Sequence, residues 1–145
     1  MIPFCEAYGL GIIPYFPLAN GFLTGKYRPD QPPPKGTRLD DDRMGPRHLT
    51  TENFALLTKL EAFAKERGHT ILELAFCWLL AKPLVASVIA GATKPEQVKS
   101  NAASGNAWVL TQEEVEEVVA EEAVEEAVEE TAVEDTTAAE EAEAA

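Results

Sequence analysis

Apolar residues along this chain fall in two different patterns, and the change between them marks out the elements. Gly11 to Phe16 and Leu84 to Ala90 are short apolar runs. The first is predicted to be a short buried strand. The second is β-branched and lacks polar alternation, as in a parallel sheet covered on both faces. Between them the period turns helical. Phe54, Leu57, Leu60, Phe63 and Ala64 share one face of a helix predicted from Thr51 to Arg67, with Gly68 placed to stop it. Thr70 and Glu73 have capping-box spacing and open a second helix that runs to Lys82, before Pro83. Leu74 to Leu80 makes that helix apolar nearly all round, so it is expected to be buried. A third helix is expected from about Lys94 to Ser104, stopped by Gly105, and Pro3 to Tyr8 reads as a helix end closed by Gly9.

The connections differ in kind. Pro17 to Tyr27 is predicted to be a compact turn with one helical turn around Phe22 to Lys26. Arg28 to His48 holds Pro29, Pro32, Pro33, Pro34, Gly36, Gly45 and Pro46, which deny it regular structure. A loop of that length in a compact domain is usually functional or mobile. Strand, long crossover with helices, then parallel strand make a βαβ unit.

Charge divides the chain more sharply than composition does. All 12 Lys and Arg lie before Glu113, while 15 of the 25 acids lie in 113–145 without a single base. A near-neutral body over 1–112 and an acidic Ala/Val/Glu-rich tail over 113–145 are therefore expected as separate parts. Thr111 to Glu114 offers another capping box, followed by Val115, Val118 and Val119. A four-residue repeat drifts by about 40° per step on a helix, and Glu pairs at that spacing repel. Helix is expected to about Ala127, then fraying. No basic footprint for nucleic acid is present, no apolar run has membrane-spanning length, and no signal segment opens the chain. Cys5 and Cys77 lack metal-ligand spacing and are expected to be free and packed, so a cytoplasmic protein is the expectation.

The richest chemistry lies in Ser87 to Asn101, a strand, a Gly turn and the start of a helix. A helix N-terminus offers unpaired N–H groups and about half a positive charge, which suits anions. Thr93 and Glu96 have capping-box spacing, Pro95 suits the first turn, and Lys94 adds a cation. Gln97 and Asn101 follow on one helix face. Other signals fall short. Gly21 to Lys26 spaces its glycines too closely for a P-loop, and Tyr27 stands where Ser or Thr would hold magnesium. Gly9-Leu10-Gly11 has Pro14 at the third glycine position of a dinucleotide fingerprint. His48 and His69 have no metal partners at useful spacing and read as loop or cap residues. Asp40 to Asp42 lacks the alternation of a calcium loop, so no metal site is expected.

Tyr15-Phe16-Pro17-Leu18-Ala19-Asn20-Gly21-Phe22-Leu23-Thr24-Gly25-Lys26, followed downstream by Gly91-Ala92-Thr93-Lys94-Pro95-Glu96-Gln97-Val98-Lys99-Ser100-Asn101, resembles the aldo-keto reductases over roughly Ile2 to Val118. The resemblance implies an α/β fold, the C-terminal portion of a (β/α)8 TIM barrel with its seventh and eighth strands and their helices. It also implies NADPH bound across the C-terminal ends of the strands. Tyr15 matches the aromatic that stacks on the nicotinamide. Phe16 matches a position often occupied by Ser, so a hydroxyl contact is lost here. Pro17, Leu18, Ala19 and Asn20 match the backbone lining the pyrophosphate, and Lys26 a basic residue near it. Gly91, Thr93, Lys94, Gln97 and Asn101 match the adenosine and 2′-phosphate site, with Lys94 favouring NADP over NAD.

The family's catalytic Asp, Tyr, Lys and His come from earlier strands, so the resemblance implies that no catalytic residue lies in this chain. Met1 falls inside an expected helix end. The expectation is thus the C-terminal part of an oxidoreductase that reduces small aldehydes or ketones to alcohols, with roughly two hundred residues upstream. An alternative is a non-catalytic module that complements a separate N-terminal barrel half or binds a basic partner through its acidic tail.

Overall fold

The computed structural model describes residues 1–120. The chain divides after Thr111 into two units.

In the first unit, helix α1 spans Ile2–Tyr8 and ends at Gly9, whose φ of 63° is left-handed. A β-carbon at Gly9 would meet nothing within 4 Å, so the glycine is there for its backbone. The following segment, 11–16, runs parallel to 84–90. The two meet at isolated bridges, Ile12 with Val85 and Tyr15 with Ile89. The Ile12 N–H donates to the Leu84 carbonyl at 2.6 Å, and the Ala86 N–H donates to the Ile12 carbonyl at 2.9 Å. Three positions separate the bridges on the first segment and four on the second, so one extra residue is taken up between them, as in a bulge.

This corrects the expectation of two buried strands. Neither run contains a buried residue, and Ile13, Tyr15, Phe16 and Ile89 are exposed. The apolar pattern is that of an interior strand with two neighbours, whereas among the described residues each segment pairs with one.

The core lies among the helices. A short helix α2, Gly45–His48, precedes helix α3, Thr51–Glu66. Helix α3 starts at Thr50, whose hydroxyl accepts the Asn53 N–H at 3.2 Å. It buries Phe54, Leu57, Phe63 and Ala64, while Leu60 is half-buried. Arg67 and Gly68, the latter with φ 78°, end it. Helix α4, Ile71–Leu80, has the expected capping box. The Thr70 hydroxyl accepts the Glu73 N–H at 3.2 Å, and the Glu73 carboxylate accepts the Thr70 N–H at 2.8 Å. It stops two residues earlier than Lys82, with Leu80 exposed. Ile71, Leu74, Ala75, Phe76 and Cys77 are buried, and each large side chain among them contributes roughly 1.5–3 kcal/mol of transfer free energy. Helix α4 packs against α3, against helix α5 (Pro95–Ser104) and against a 3₁₀ segment, Ala19–Thr24. That segment lies earlier than the helical turn expected at Phe22 to Lys26.

Two contacts fasten the end of α5 and the segment after it to the core. The Cys77 thiol donates to the Ser104 carbonyl at 3.1 Å. The Trp108 indole stacks on His69 at 4.3 Å with 8° between planes, and on Phe63 at 5.9 Å. Burial pushes the Cys77 thiol up from its ordinary range and the Glu73 charge adds to the shift, partly offset by the Trp108 and Ala107 amides.

The long connection 28–48 is irregular but anchored. Tyr27 and Leu39 are both 1% exposed, and the Tyr27 hydroxyl accepts the Leu39 N–H at 3.4 Å. Asp40 accepts the Gly36 N–H, Asp41 accepts those of Arg43 and Met44, and α2 closes the segment. The acidic run thus holds its own turns.

The second unit opens with a helix over 112–120, in which the Gln112 amide donates to Glu116 at 2.9 Å. The helix end expected near Ala127 and the fraying beyond it lie outside the described residues.

Candidate functional site

Parallel pairing decides where the two motifs lie. Because 11–16 and 84–90 run in the same direction and bridge at Tyr15 and Ile89, the turns that come after them both leave from the same end of the pair. Each turn is a local structure with its own chemistry.

The first turn carries several departures from ordinary backbone. Phe16 has φ 57°, Ala19 φ 44° and Asn20 φ 59°, all left-handed, and Gly21 follows at 91°. For a residue with a β-carbon this costs roughly 1–2 kcal/mol. Backbone bonds hold the shape: the Ala19 N–H donates to the Phe16 carbonyl at 3.0 Å, and the Gly21 N–H to the Leu18 carbonyl at 2.7 Å. The Tyr15 and Phe16 rings lie 4.8 Å apart, tilted by 46°, and Tyr15 is 75% exposed. Apart from its contact with Phe16, the Tyr15 side chain is thus largely open to solvent. Pro17 and Leu18 are half-buried beneath the turn. Lys26 is exposed and its ammonium lies 5.0 Å from the centre of the Tyr27 ring. It also sits where a β-carbon on Gly21 would come, at 3.0 Å, so that glycine gives the lysine its path.

The second turn differs from the pattern read in the sequence. Lys94, not Thr93, is the N-cap of α5, because Pro95 occupies the first helical position and Gln97 falls third. The Gln97 Oε1 accepts from the Thr93 N–H at 2.8 Å, the Thr93 hydroxyl at 3.1 Å and the Lys94 N–H at 3.1 Å. The predicted Thr93–Glu96 capping box is therefore not formed: Gln97 supplies one half of such a box to the Lys94 N–H, and the Lys94 side chain, which has no acceptor, does not complete it. Three donors converge on one oxygen, which is the arrangement an anionic oxygen would use. Lys94 is exposed at the N-cap, and Asn101 is half-buried two turns along. At Gly91 a β-carbon would meet nothing within 4 Å and the backbone is not left-handed, so the chain's own packing does not demand glycine there.

Two residues that no sequence pattern places here join the first turn. The Arg38 guanidinium lies over the Phe16 ring at 5.5 Å. The His48 Nε2 meets the Asn20 Nδ2 at 3.1 Å, and the His48 Nδ1 meets the Met44 carbonyl at 3.0 Å. Neither contact leaves a periodic signal, since the partners are 22 and 28 positions apart. Among the described residues no three His, Cys, Asp or Glu are grouped to hold a metal ion, and no helix is long and apolar enough to cross a membrane.

The comparisons with known proteins bear on both turns. The sequence model of the aldo/keto reductase family matches residues 1–123. An L-glyceraldehyde 3-phosphate reductase of Escherichia coli O157:H7 is 33% identical over 113 residues, covering 76% of this chain and 33% of that protein. A probable voltage-gated potassium channel subunit beta of Oryza sativa subsp. japonica is 34% identical, covering 82% of this chain and 37% of its own length. The solved structure of a glycerol dehydrogenase from Gluconobacter oxydans is 29% identical and superposes with a TM-score of 0.68, over 83% of this chain and 36% of that one. The chain spans about a third of the length of the curated relatives it matches. A family match that takes in all the described residues, both turns among them, shows that the chain belongs to the aldo/keto reductase family.

Proposed function

We propose that this chain is the cofactor-binding part of an NADPH-dependent oxidoreductase that converts aldehydes or ketones to alcohols. In this reading 11–16 and 84–90 are the seventh and eighth strands of a (β/α)8 barrel. The observation that carries it is the parallel Tyr15–Ile89 bridge, from which both motif-bearing turns leave at one end, the end where such barrels take their ligands.

The donor set suits a dinucleotide. The three donors gathered on Gln97 Oε1 can turn to a phosphate oxygen once the amide rotates aside. Lys94 supplies charge for a 2′-phosphate, and the open space at Gly91 lets a ligand approach the backbone. Gln97 and Asn101 offer carboxamides to the adenosine. Tyr15 offers its exposed ring to the nicotinamide, while Pro17 to Asn20 and Lys26 line the pyrophosphate. When bound, NADPH supplies the hydride. This chain's residues bind and orient it, and in this reading proton delivery to the carbonyl oxygen belongs to residues of the earlier barrel strands.

Titrating the full chain with NADPH while following nicotinamide fluorescence tests the reading. Saturable binding that Tyr15→Ala weakens supports it, and no binding at millimolar NADPH overturns it. Carbonyl turnover by the chain alone is expected to be absent. Saturable NADPH-dependent reduction would overturn the division of labour.

A second reading, a non-catalytic module that completes a separately encoded barrel half, draws on the apolar side chains of Ile2, Phe4, Ile13 and Ile89, each more than half exposed. Co-expression with an N-terminal half followed by pull-down separates the two readings.

A further inference from the structure

The His48–Asn20 contact carries more than its single distance. The Met44 carbonyl can only accept, so His48 Nδ1 must bear the hydrogen that meets it at 3.0 Å. In the neutral ring Nε2 is then an acceptor, and the group facing it at 3.1 Å must be the Asn20 NH₂. One carbonyl therefore fixes both the imidazole tautomer and the orientation of the Asn20 carboxamide.

Asn20 stands at φ 59° in the middle of the left-handed turn, between Ala19 at 44° and Gly21 at 91°. Asparagine tolerates that region better than most residues, yet it also has ordinary conformations to return to. His48 comes from the far end of the long connection, on α2, whose start is pinned by Asp41 through the N–H groups of Arg43 and Met44 at 2.9 and 3.1 Å. The Asn53 amide donates to the His48 carbonyl at 3.0 Å and ties the same residue to α3. Thus the anchor of the turn is itself held from both sides, by the loop before it and by the helix after it.

We infer that His48 is a positioning residue for the dinucleotide turn: it holds Asn20 in its left-handed conformation and leaves the Asn20 Oδ1 as the side chain's acceptor. An acceptor oxygen suits a hydroxyl or amide N–H of the ligand and repels a phosphate oxygen. Asn20 then takes a ribose hydroxyl or the nicotinamide amide through its side chain, while the pyrophosphate is left to backbone N–H groups. The ligand part of this inference rests on the cofactor reading above; the turn-holding part does not.

The test is a double-mutant cycle on the full chain with His48→Leu, His48→Gln and Asn20→Gly. Glycine keeps the left-handed backbone and removes the amide. Long-range ¹H–¹⁵N spectra of the wild type are expected to show the Nδ1–H tautomer. His48→Leu is expected to shift the Asn20 side-chain amide and to weaken NADPH binding about five- to tenfold. His48→Gln, which restores an acceptor, is expected to recover most of that loss, and in the Asn20→Gly background His48→Leu is expected to add nothing. An Nε2–H tautomer, or an Asn20 amide and urea midpoint that ignore His48→Leu, overturns the inference. If the wild type binds no NADPH, the cofactor reading and the ligand role of Oδ1 both fall. The tautomer and the urea-unfolding cycle still decide the positioning role.

Discussion

Gly11 faces Ala86 across the paired segments so closely that a β-carbon on Gly11 would lie 2.9 Å from the Ala86 Cβ. The contact straddles the Ile12–Val85 bridge, with Gly11 one position before Ile12 and Ala86 one position after Val85, and the Ile12 carbonyl accepts the Ala86 N–H at 2.9 Å. Neither partner is the movable end of a long side chain, so a larger residue at 11 must push the segments apart. Gly11→Ala is expected to lower stability by about 1–3 kcal/mol, read as a lower urea midpoint. Because the pair sets where both turns leave, ligand binding is expected to fall with it. An unchanged midpoint would mean that the pairing is not part of the cooperative fold.

Ala19 offers the opposite experiment. Its φ of 44° is left-handed without the help of a polar side chain, which costs roughly 1–2 kcal/mol. Glycine removes that strain but gains about 0.4–1 kcal/mol of unfolded-chain entropy. The first effect wins, so Ala19→Gly is expected to stabilise by roughly 0.5 kcal/mol, seen as a higher urea midpoint. Phe16, at φ 57°, is a poorer place for the same change, because its ring also carries the Arg38 contact at 5.5 Å.

Sequence is legible where neighbours in the chain decide the outcome. Thr70 and Glu73 cap α4 as their spacing says, and Gly9 and Gly68 close their helices in left-handed conformations. The register at α5 is open to a reading one step off, since Thr93–Glu96 and Lys94–Gln97 share a spacing. Pro95 at the first helical position settles it for the second pair. The strands are overstated by their sequence for a different reason. An apolar run records the burial a segment is suited to, whereas pairing depends on partners, and Ile13 and Ile89 remain exposed without them. The role of His48 is invisible in sequence because it lies in Asn20, 28 positions away, and a lone histidine in a Pro-rich loop has no pattern to betray it.

Glu73 gives a pH dependence whose sign can be worked out. The Thr70 N–H holds its pKa below the ordinary 4.5; partial burial opposes this, and His69, 3.3 Å away, assists. A carboxylate with a depressed folded value stabilises fully above the unfolded value and loses that contribution as pH falls through the folded one. Glu73→Gln keeps an acceptor for Thr70 but removes the charge at the helix N-terminus. It is expected to cost about 0.3–1 kcal/mol at pH 7, and the wild-type and variant urea midpoints are expected to converge as pH drops below 4.5. A gap that persists in strong acid would assign the effect to shape alone.

Lys94 separates the two nicotinamide cofactors. It is the exposed N-cap of α5, beside the Thr93 and Lys94 N–H groups that Gln97 now occupies. Its ammonium can meet a 2′-phosphate but has no counterpart on NADH. Under the proposed cofactor assignment Lys94→Ala is expected to weaken NADPH about tenfold, with NADH changed by less than about twofold. Lys99, a turn further along the same helix and also exposed, is the control, and its removal is expected to affect both cofactors slightly and equally. Parallel fluorescence titrations with the two cofactors check this. Equal losses for NADPH and NADH in Lys94→Ala would move the 2′-phosphate contact elsewhere and leave Lys94 as a general source of positive charge.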